Sequence, residues 1–151
     1  DDHMRAVLTR VRSASVEIGG EVKSSIGRGF LVLLGIHEDD TEAEAIKIAD
    51  KICGLRIFED ENGKMNLNPE AAGCQNLLII SQFTLFADCK SRRPGFSKAA
   101  RPDKAIPLYE KIIALCRERG FEVGTGEFGA EMLVESVNDG PVTIILDTKE
   151  L

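Results

Sequence analysis

Two long apolar runs limit what this chain can fold into. Gly29 to Ile36 contains no charged or polar side chain, and Leu77 to Phe86 is apolar apart from a short polar stretch. An apolar run without alternation is typical of a central strand that is covered on both faces. A chain of 151 residues is long enough to bury such strands in one core. The sequence therefore predicts one domain built around a buried sheet.

Two further segments have the periodicity of amphipathic helices. Thr41 to Glu44 has the form of a capping box, and apolar residues follow it at spacings of three and four. A second helix is predicted to begin near Pro102 and to stop at Gly120, because proline suits a first helical turn and glycine a helix end. We therefore expect two main helices packed on the sheet.

The remaining segments are typical of strands joined by turns. Gly19-Gly20 predicts a tight hairpin, and Phe121 to Asp147 is predicted to form three strands, with a further hairpin turn at Asn138-Asp139-Gly140. The pattern predicts a single α/β domain over residues 4–151 with a mostly antiparallel sheet. The first three residues, Asp1 to His3, are typical of an expression-tag remnant, with the natural start expected at Met4.

The composition argues against several classes of protein. No apolar run reaches the roughly 18 residues of a membrane span, so we expect a cytoplasmic protein without membrane contact. Cys53, Cys74, Cys89 and Cys116 form no CxxC pair, and His37 is the only histidine beyond the first three residues. We therefore predict no metal and no cofactor, and a histidine-dependent nucleophile is disfavoured.

One loop concentrates positive charge in a chain whose formal net charge is −6. Six cations fall within the fifteen residues from Lys90 to Lys104, and Phe96 lies among them. Such a cluster on an acidic protein indicates a local site for anions such as a phosphate backbone. A merely solvated basic loop is the alternative.

Two shorter stretches also carry unusual chemistry. Ser81, Gln82 and Thr84 introduce hydroxyl and amide groups into a strongly apolar run, where each buried polar group needs a partner. A strand that leaves the core for solvent would explain them equally well. Gly140-Pro141 stands at the entrance of another apolar run, where proline cannot donate to a strand ladder. Pro141 could simply begin the outgoing strand.

The motifs SQFTLFAD, RRPGF and NDGPVT, with RVRSASVEIGGE and LRIFEDENGKMNLN, resemble the D-aminoacyl-tRNA deacylase family. The resemblance extends over Met4 to Asp147, although Lys90-Ser91-Arg92 is shorter than the corresponding segment of many relatives. It implies a barrel-like sheet in β/β/α layers and a homodimer. It also implies a cis bond between Gly140 and Pro141 that reaches into the pocket of the other subunit.

The resemblance also implies an activity and a set of site residues. The substrate would be the ester at the terminal adenosine of D-aminoacyl-tRNA, or of glycine mischarged on the tRNA for alanine. The carbonyl groups of Gly140 and Pro141 would hold the substrate's ammonium and exclude an L side chain, with Arg10 and Met132 as supports. Contacts to tRNA would come from the basic loop, through Lys90, Arg92, Arg93 and Lys98.

Catalysis would depend on position and electrostatics. Ser81 and Gln82 would orient the adenosine, and N–H groups around Phe83 and Thr84 would stabilise an oxyanion. The 2′-hydroxyl of the tRNA would assist the attack of water, because Thr84 has no evident base beside it in the sequence. Two alternatives stay open. One is a non-catalytic nucleic-acid-binding dimer, and the other is an esterase of small D-amino acid esters with Thr84 as nucleophile.

Overall fold

The computed structural model describes residues 3–151, so Asp1 and Asp2 of the predicted tag remnant lie outside the described residues. Over this range the chain forms strands, α-helices and two short 3₁₀ turns. The α-helices are α1 (Glu42–Gly54), α2 (Pro69–Ala72) and α3 (Pro102–Glu118). The strands are β1 (Arg5–Ile18), β2 (Glu21–Ile26), β3 (Gly29–Gly35), β4 (Phe58–Glu59), β5 (Met65–Leu67), β6 (Asn76–Ser81), β7 (Glu122–Thr125) and β8 (Leu133–Asp147).

The long strand β1 organises the main sheet. It pairs antiparallel with β3 through its first half and with β2 through its second half, while β8 runs antiparallel along its other edge. The sheet continues from β3 through β6 to β7. Because β1 changes partner along its length, the sheet curls, which agrees with the barrel-like sheet implied by the family resemblance.

Two parallel strand pairs explain where the helices lie. The connection from β3 to β6 contains α1, and the connection from β6 to β7 contains α3, since parallel strands need a crossover. Both helices pack against each other, and a large apolar core fills the space between them and one face of the sheet. On the opposite face lies a smaller buried cluster: Val11, Ala14, Val16, Leu31, Leu78 and Ile80. Both faces of β3 are thus covered, as its apolar run predicts.

The helix predictions are confirmed in detail. Thr41 caps α1 with the predicted box, in which its backbone N–H donates to Glu44 Oε1 over 2.6 Å. The second predicted helix begins at Pro102 and ends two residues before Gly120. No helix among residues 3–151 is long and apolar enough to cross a membrane.

Two strand predictions are wrong. The run predicted as a strand to Phe86 leaves the sheet at Ser81, because its partner β3 ends at Gly35, and Phe83–Phe86 forms a 3₁₀ turn instead. The predicted hairpin at Asn138-Asp139-Gly140 is absent from the described chain, where these residues lie inside the single strand β8. Phe121 to Asp147 therefore contributes two strands where three were predicted.

Candidate functional site

The segment Ser81 to Phe86 forms a short turn at the end of β6. The N–H of Gln82 still bonds to the sheet through the Leu34 carbonyl at 2.8 Å, and the chain then curls into the 3₁₀ turn. Close packing on Gly35 holds the turn against β3, since a Cβ there would lie 3.0 Å from Phe86 Cε2 and 3.1 Å from the Gln82 carbonyl oxygen. The polar stretch therefore stands at the rim of the core, half-buried to exposed.

A cavity of about 620 Å³ opens beside this turn. Its walls come from the end of β6, the basic loop, the start of α3 and the segment before β8. The lining residues are Ile80, Ser81, Gln82, Phe83, Phe96, Ala99, Ala100, Pro102, Phe128, Gly129, Ala130, Met132 and Val134. Every one of these side chains is non-titratable. The cavity can bind an apolar or aromatic group and offer a few hydrogen bonds, but its walls supply no acid or base.

Aromatic side chains mark the mouth of the cavity. Phe83 and Phe96 meet edge to face with ring centroids 5.2 Å apart, and they stay 49% and 36% exposed. Exposed aromatic rings of this kind provide stacking faces for bases. The sequence marks Phe96 only as part of the basic loop and its RRPGF motif, and it does not single out Phe128, because a motif does not show which cavity its side chains line.

Thr84 is exposed and bonds to a neighbour within its own turn. The Gln82 side-chain amide donates to Thr84 Oγ1. No histidine, lysine or carboxylate of the described chain makes a hydrogen bond to that hydroxyl. The geometry gives Thr84 no activating base, as the sequence suggested.

The Gly140-Pro141 pair lies on a bulge of β8 and has a cis peptide bond. Thr9 pairs with Thr143 and Val11 with Asn138, so four residues of β8 face one residue of β1, which is Arg10. These four residues form a short loop within β8, in which Gly140 and Pro141 are exposed and Val142 is buried. A bulge of this size re-aims the backbone locally.

Arg10 fixes the base of this loop. Its side chain is 5% exposed; Nε donates to the Asp139 carbonyl over 3.1 Å, and Nη1 donates to the Ile57 carbonyl over 2.6 Å. The guanidinium also lies 3.6 Å from the Asp139 carboxylate and 6.0 Å from the centre of the Phe58 ring. The buried arginine therefore holds the loop from behind by backbone and charged contacts together.

The predicted catalytic and selection residues do not all meet at one place in the described chain, and Thr84 belongs to the 3₁₀ turn but is not among the residues that line the cavity. Ser81, Gln82, Phe83 and Met132 line the cavity. Arg10, Gly140 and Pro141 are not among its lining residues and belong to the β8 bulge. Met132, the expected packing neighbour of the selection site, forms part of the cavity wall.

The basic loop is exposed at each predicted tRNA contact, Lys90, Arg92, Arg93 and Lys98. Backbone bonds hold the loop at two places: Asp88 and Gly95 pair with each other, and the Ala100 N–H donates to the Ile36 carbonyl over 2.9 Å. Since Phe96, Ala99 and Ala100 of the same loop line the cavity, the charged surface lies beside its mouth.

Strand β8 has one edge that no described strand covers. Large apolar side chains of β8 lie open to solvent, with exposures of 66% for Leu133, 56% for Val137 and 72% for Ile145. An unpaired strand edge with exposed apolar residues favours pairing with another chain. The bulge carrying Gly140 and Pro141 lies on the same strand.

One group of metal-ligand side chains is present among the described residues. Ligand atoms of His37, Glu38 and Asp39 lie within 4.8 Å of one another. The Nδ1 atom of His37 already accepts a hydrogen bond from the Asp39 N–H at 3.1 Å, and both acidic side chains are exposed. These residues do not line the cavity beside Ser81.

The arrangement of the curled sheet and its two crossover helices is also found in solved structures. One such structure, described as "c-Myc DNA Unwinding Element Binding Protein", has a TM-score of 0.87 and 41% sequence identity, covering 94% of this chain and 97% of that one. A second, described as a "probable eukaryotic D-amino acid tRNA deacylase", has a TM-score of 0.83 at 18% identity and shares the fold.

Sequence comparison then gives the family. The family model described as "D-Tyr-tRNA(Tyr) deacylase" matches residues 7–147. A D-aminoacyl-tRNA deacylase of Thermus aquaticus is 55% identical over 97% of both chains, and one of a Geobacillus species is 51% identical over the same share. The chain belongs to the D-Tyr-tRNA(Tyr) deacylase family, which confirms the resemblance seen in its motifs.

Proposed function

We propose that this protein hydrolyses the ester bond of D-aminoacyl-tRNA and releases the D-amino acid and free tRNA. The observation that carries the proposal is the cavity beside Ser81 to Phe83, which has aromatic and polar walls without a titratable group. Such a site can position a terminal adenosine and its ester, while the reacting groups come from the substrate and from water. Family membership supports the substrate class.

The terminal adenosine enters between the exposed rings of Phe83 and Phe96, and Ser81 and Gln82 bond to its polar groups. The first N–H groups of a helical turn have no partner inside the turn. The backbone N–H groups of Phe83 and Thr84 are therefore available to bond to the ester carbonyl oxygen. They stabilise the negative charge that develops on the carbonyl oxygen.

Water supplies the nucleophile, and the 2′-hydroxyl of the terminal ribose assists its attack. The bond between the carbonyl carbon and the 3′-oxygen then breaks. The 3′-oxygen takes up a proton, and the amino acid leaves as its carboxylate. The protein contributes position and electrostatic stabilisation, which together supply several kcal/mol of barrier reduction in enzymes.

Selection against L-substrates requires the bulge of a second subunit. In one subunit Gly140 and Pro141 lie outside the cavity lining and are exposed, so they are free to enter the cavity of a partner. The open edge of β8, with exposed Leu133, Val137 and Ile145, offers the surface for a homodimer. The carbonyl groups of Gly140 and Pro141, next to the Asp139 carbonyl that Arg10 holds, would bind the ammonium and clash with an L side chain, while glycine, which has no Cβ, would be accepted.

A comparison of four substrates tests the proposal. They are D-Tyr-tRNA, L-Tyr-tRNA, the tRNA for alanine mischarged with glycine, and free D-tyrosine ethyl ester. We expect fast release from D-Tyr-tRNA and glycyl-tRNA, with L-Tyr-tRNA and the free ester untouched. Hydrolysis of the free ester would favour the alternative esterase. Binding of tRNA or duplex DNA without release of amino acid would favour a nucleic-acid-binding role, in line with the name of the similar DNA-binding structure.

A further inference from the structure

We propose that Arg5 is a positioning residue for the 3₁₀ turn Phe83–Phe86, an inference that rests on the proposed function of that turn. Arg5 lies at the start of β1, and its Nη1 donates to the Leu85 carbonyl over 2.9 Å. Its Cζ lies 5.0 Å from the centre of the Phe86 ring. The guanidinium therefore contacts both the backbone and the buried aromatic anchor of the turn.

The Arg5 guanidinium is also bonded to the end of the sheet. Its Nε donates to Asp147 Oδ2 over 3.2 Å, and that carboxylate is 9% exposed at the end of β8. Nη2 also contacts His3 Nε2 at 2.8 Å. A planar guanidinium can hold a carbonyl and a carboxylate at a fixed separation, which a lysine cannot do. Arg5 thus links the end of β8 to the turn through one rigid group.

The Gln82 N–H bond to Leu34 and the packing of Phe86 on Gly35 hold the two ends of the turn, but the hydrogen bonds within it are long or few. Leu85 N–H to Gln82 carbonyl spans 3.3 Å and Ala87 N–H to Thr84 carbonyl 3.1 Å, and the Phe83 and Thr84 side chains are exposed. Arg5 itself does not line the cavity. It therefore acts through the turn, and a displacement of about 1 Å at a reacting group can reduce a rate by about a hundredfold.

The test compares Arg5→Met and Arg5→Lys with Arg119→Met in single-turnover deacylation of D-Tyr-tRNA. Arg119 is the matched control, since it also bonds to a carboxylate, Asp50, at 2.8 Å, but lies at the end of α3. We expect the maximal rate of Arg5→Met to fall about tenfold to a hundredfold, with half-saturation within about twofold of wild type. The maximal rate of Arg5→Lys should lie between those of wild type and Arg5→Met, and the maximal rate of Arg119→Met should match wild type.

Amide hydrogen exchange provides a second readout that needs no substrate. Protection of the Ala87 N–H, which closes the turn, should fall in Arg5→Lys and stay unchanged in Arg119→Met. Unchanged protection, or a rate loss in Arg5→Lys no larger than in Arg119→Met, would overturn the inference even if Arg5→Met failed to fold. An inactive wild type would refute the proposed function instead, while the exchange data would still decide whether Arg5 orders the turn.

Discussion

Arg10 donates a hydrogen bond from Nε to the carbonyl oxygen of Asp139 over 3.1 Å, across the point where β1 and β8 lose register. This contact joins a buried side chain to the residue before Gly140. Since Arg10 is also bonded to the Ile57 carbonyl at 2.6 Å, the exposed tip of the bulge has a rigid base. A rigid base is what a steric filter requires, because a mobile carbonyl could move away from an L side chain.

Gly140→Ala should weaken that filter. The residue has φ +132°, and a Cβ there would lie 2.8 Å from Val142 Cγ2 and 3.1 Å from Arg10 Nη2. The loop must shift to accommodate the methyl group, so the ratio of D- to L-Tyr-tRNA deacylation rates should fall about tenfold or more. Gly54→Ala is the control, since a Cβ there meets nothing within 4 Å. An unchanged ratio in Gly140→Ala would count against the filter.

Thr84→Ala should retain deacylation within about tenfold of wild type. The hydroxyl bonds only to the Gln82 side chain in the described hydrogen bonds, so its loss disturbs positioning and not a covalent step. Rapid-quench mass spectrometry of the wild type should find no acyl group on Thr84. A trapped acyl-threonine, or complete loss of activity with tRNA binding intact, would support the alternative esterase mechanism.

Arg93→Gln should weaken tRNA binding without changing the maximal deacylation rate. The side chain is exposed on the basic loop and does not line the cavity, so it can contact phosphate but not the ester. A plot of log affinity against log salt concentration should become shallower, with the magnitude of its negative slope smaller by about one. Lys47→Gln, which removes an exposed cation from α1, should leave the slope unchanged. Equal slopes for both variants would remove the loop from the tRNA interface.

Tyr109 should make stability depend on alkaline pH. Burial raises the pKa of its phenol to about 12, and its hydroxyl donates to the Ile79 carbonyl over 2.5 Å. Because the folded pKa exceeds the unfolded value, this stabilisation is present below about pH 10 and is lost as the pH rises towards 12. Relative to Tyr109→Phe, the free energy of unfolding of the wild type should therefore fall by about 2 kcal/mol over that range.

Absorbance offers a direct check, since the chain contains 1 tyrosine. Tyrosinate should appear in the folded protein with a midpoint well above that of the urea-unfolded chain. Equal midpoints in the two states would show that the phenol is not desolvated by folding.

The sequence predicts the elements whose signals are local. The capping box at Thr41, the glycine hairpin at Gly19-Gly20 and the apolar run of β3 each depend on a few neighbouring residues, and each is confirmed. The end of β6 is different. It is set by where β3 ends and by the close contact of Phe86 with Gly35, and neither can be read from the run itself.

Some residues of the candidate site can be predicted from local motifs, and others cannot. Ser81 and Gln82 could be proposed from a motif, whereas Phe128 and Ala99 reach the cavity only through the path of the fold. Asn138-Asp139-Gly140 carries a strong local turn signal, yet the segment remains in β8 because β1 pairs on both sides of it and Arg10 fills the gap. Long-range pairing thus overrides the local preference.

Removal of the terminal 2′-hydroxyl of the substrate tests the central claim most directly. D-Tyr-tRNA ending in 2′-deoxyadenosine keeps the same 3′-ester and should enter the same proposed cavity, whose walls have no titratable group. Single-turnover deacylation should slow by about a hundredfold or more, with binding within about threefold, because the group that assists water is gone. A rate equal to that of the ribose-ended substrate would contradict the account, since the protein itself would then have to supply the missing chemistry.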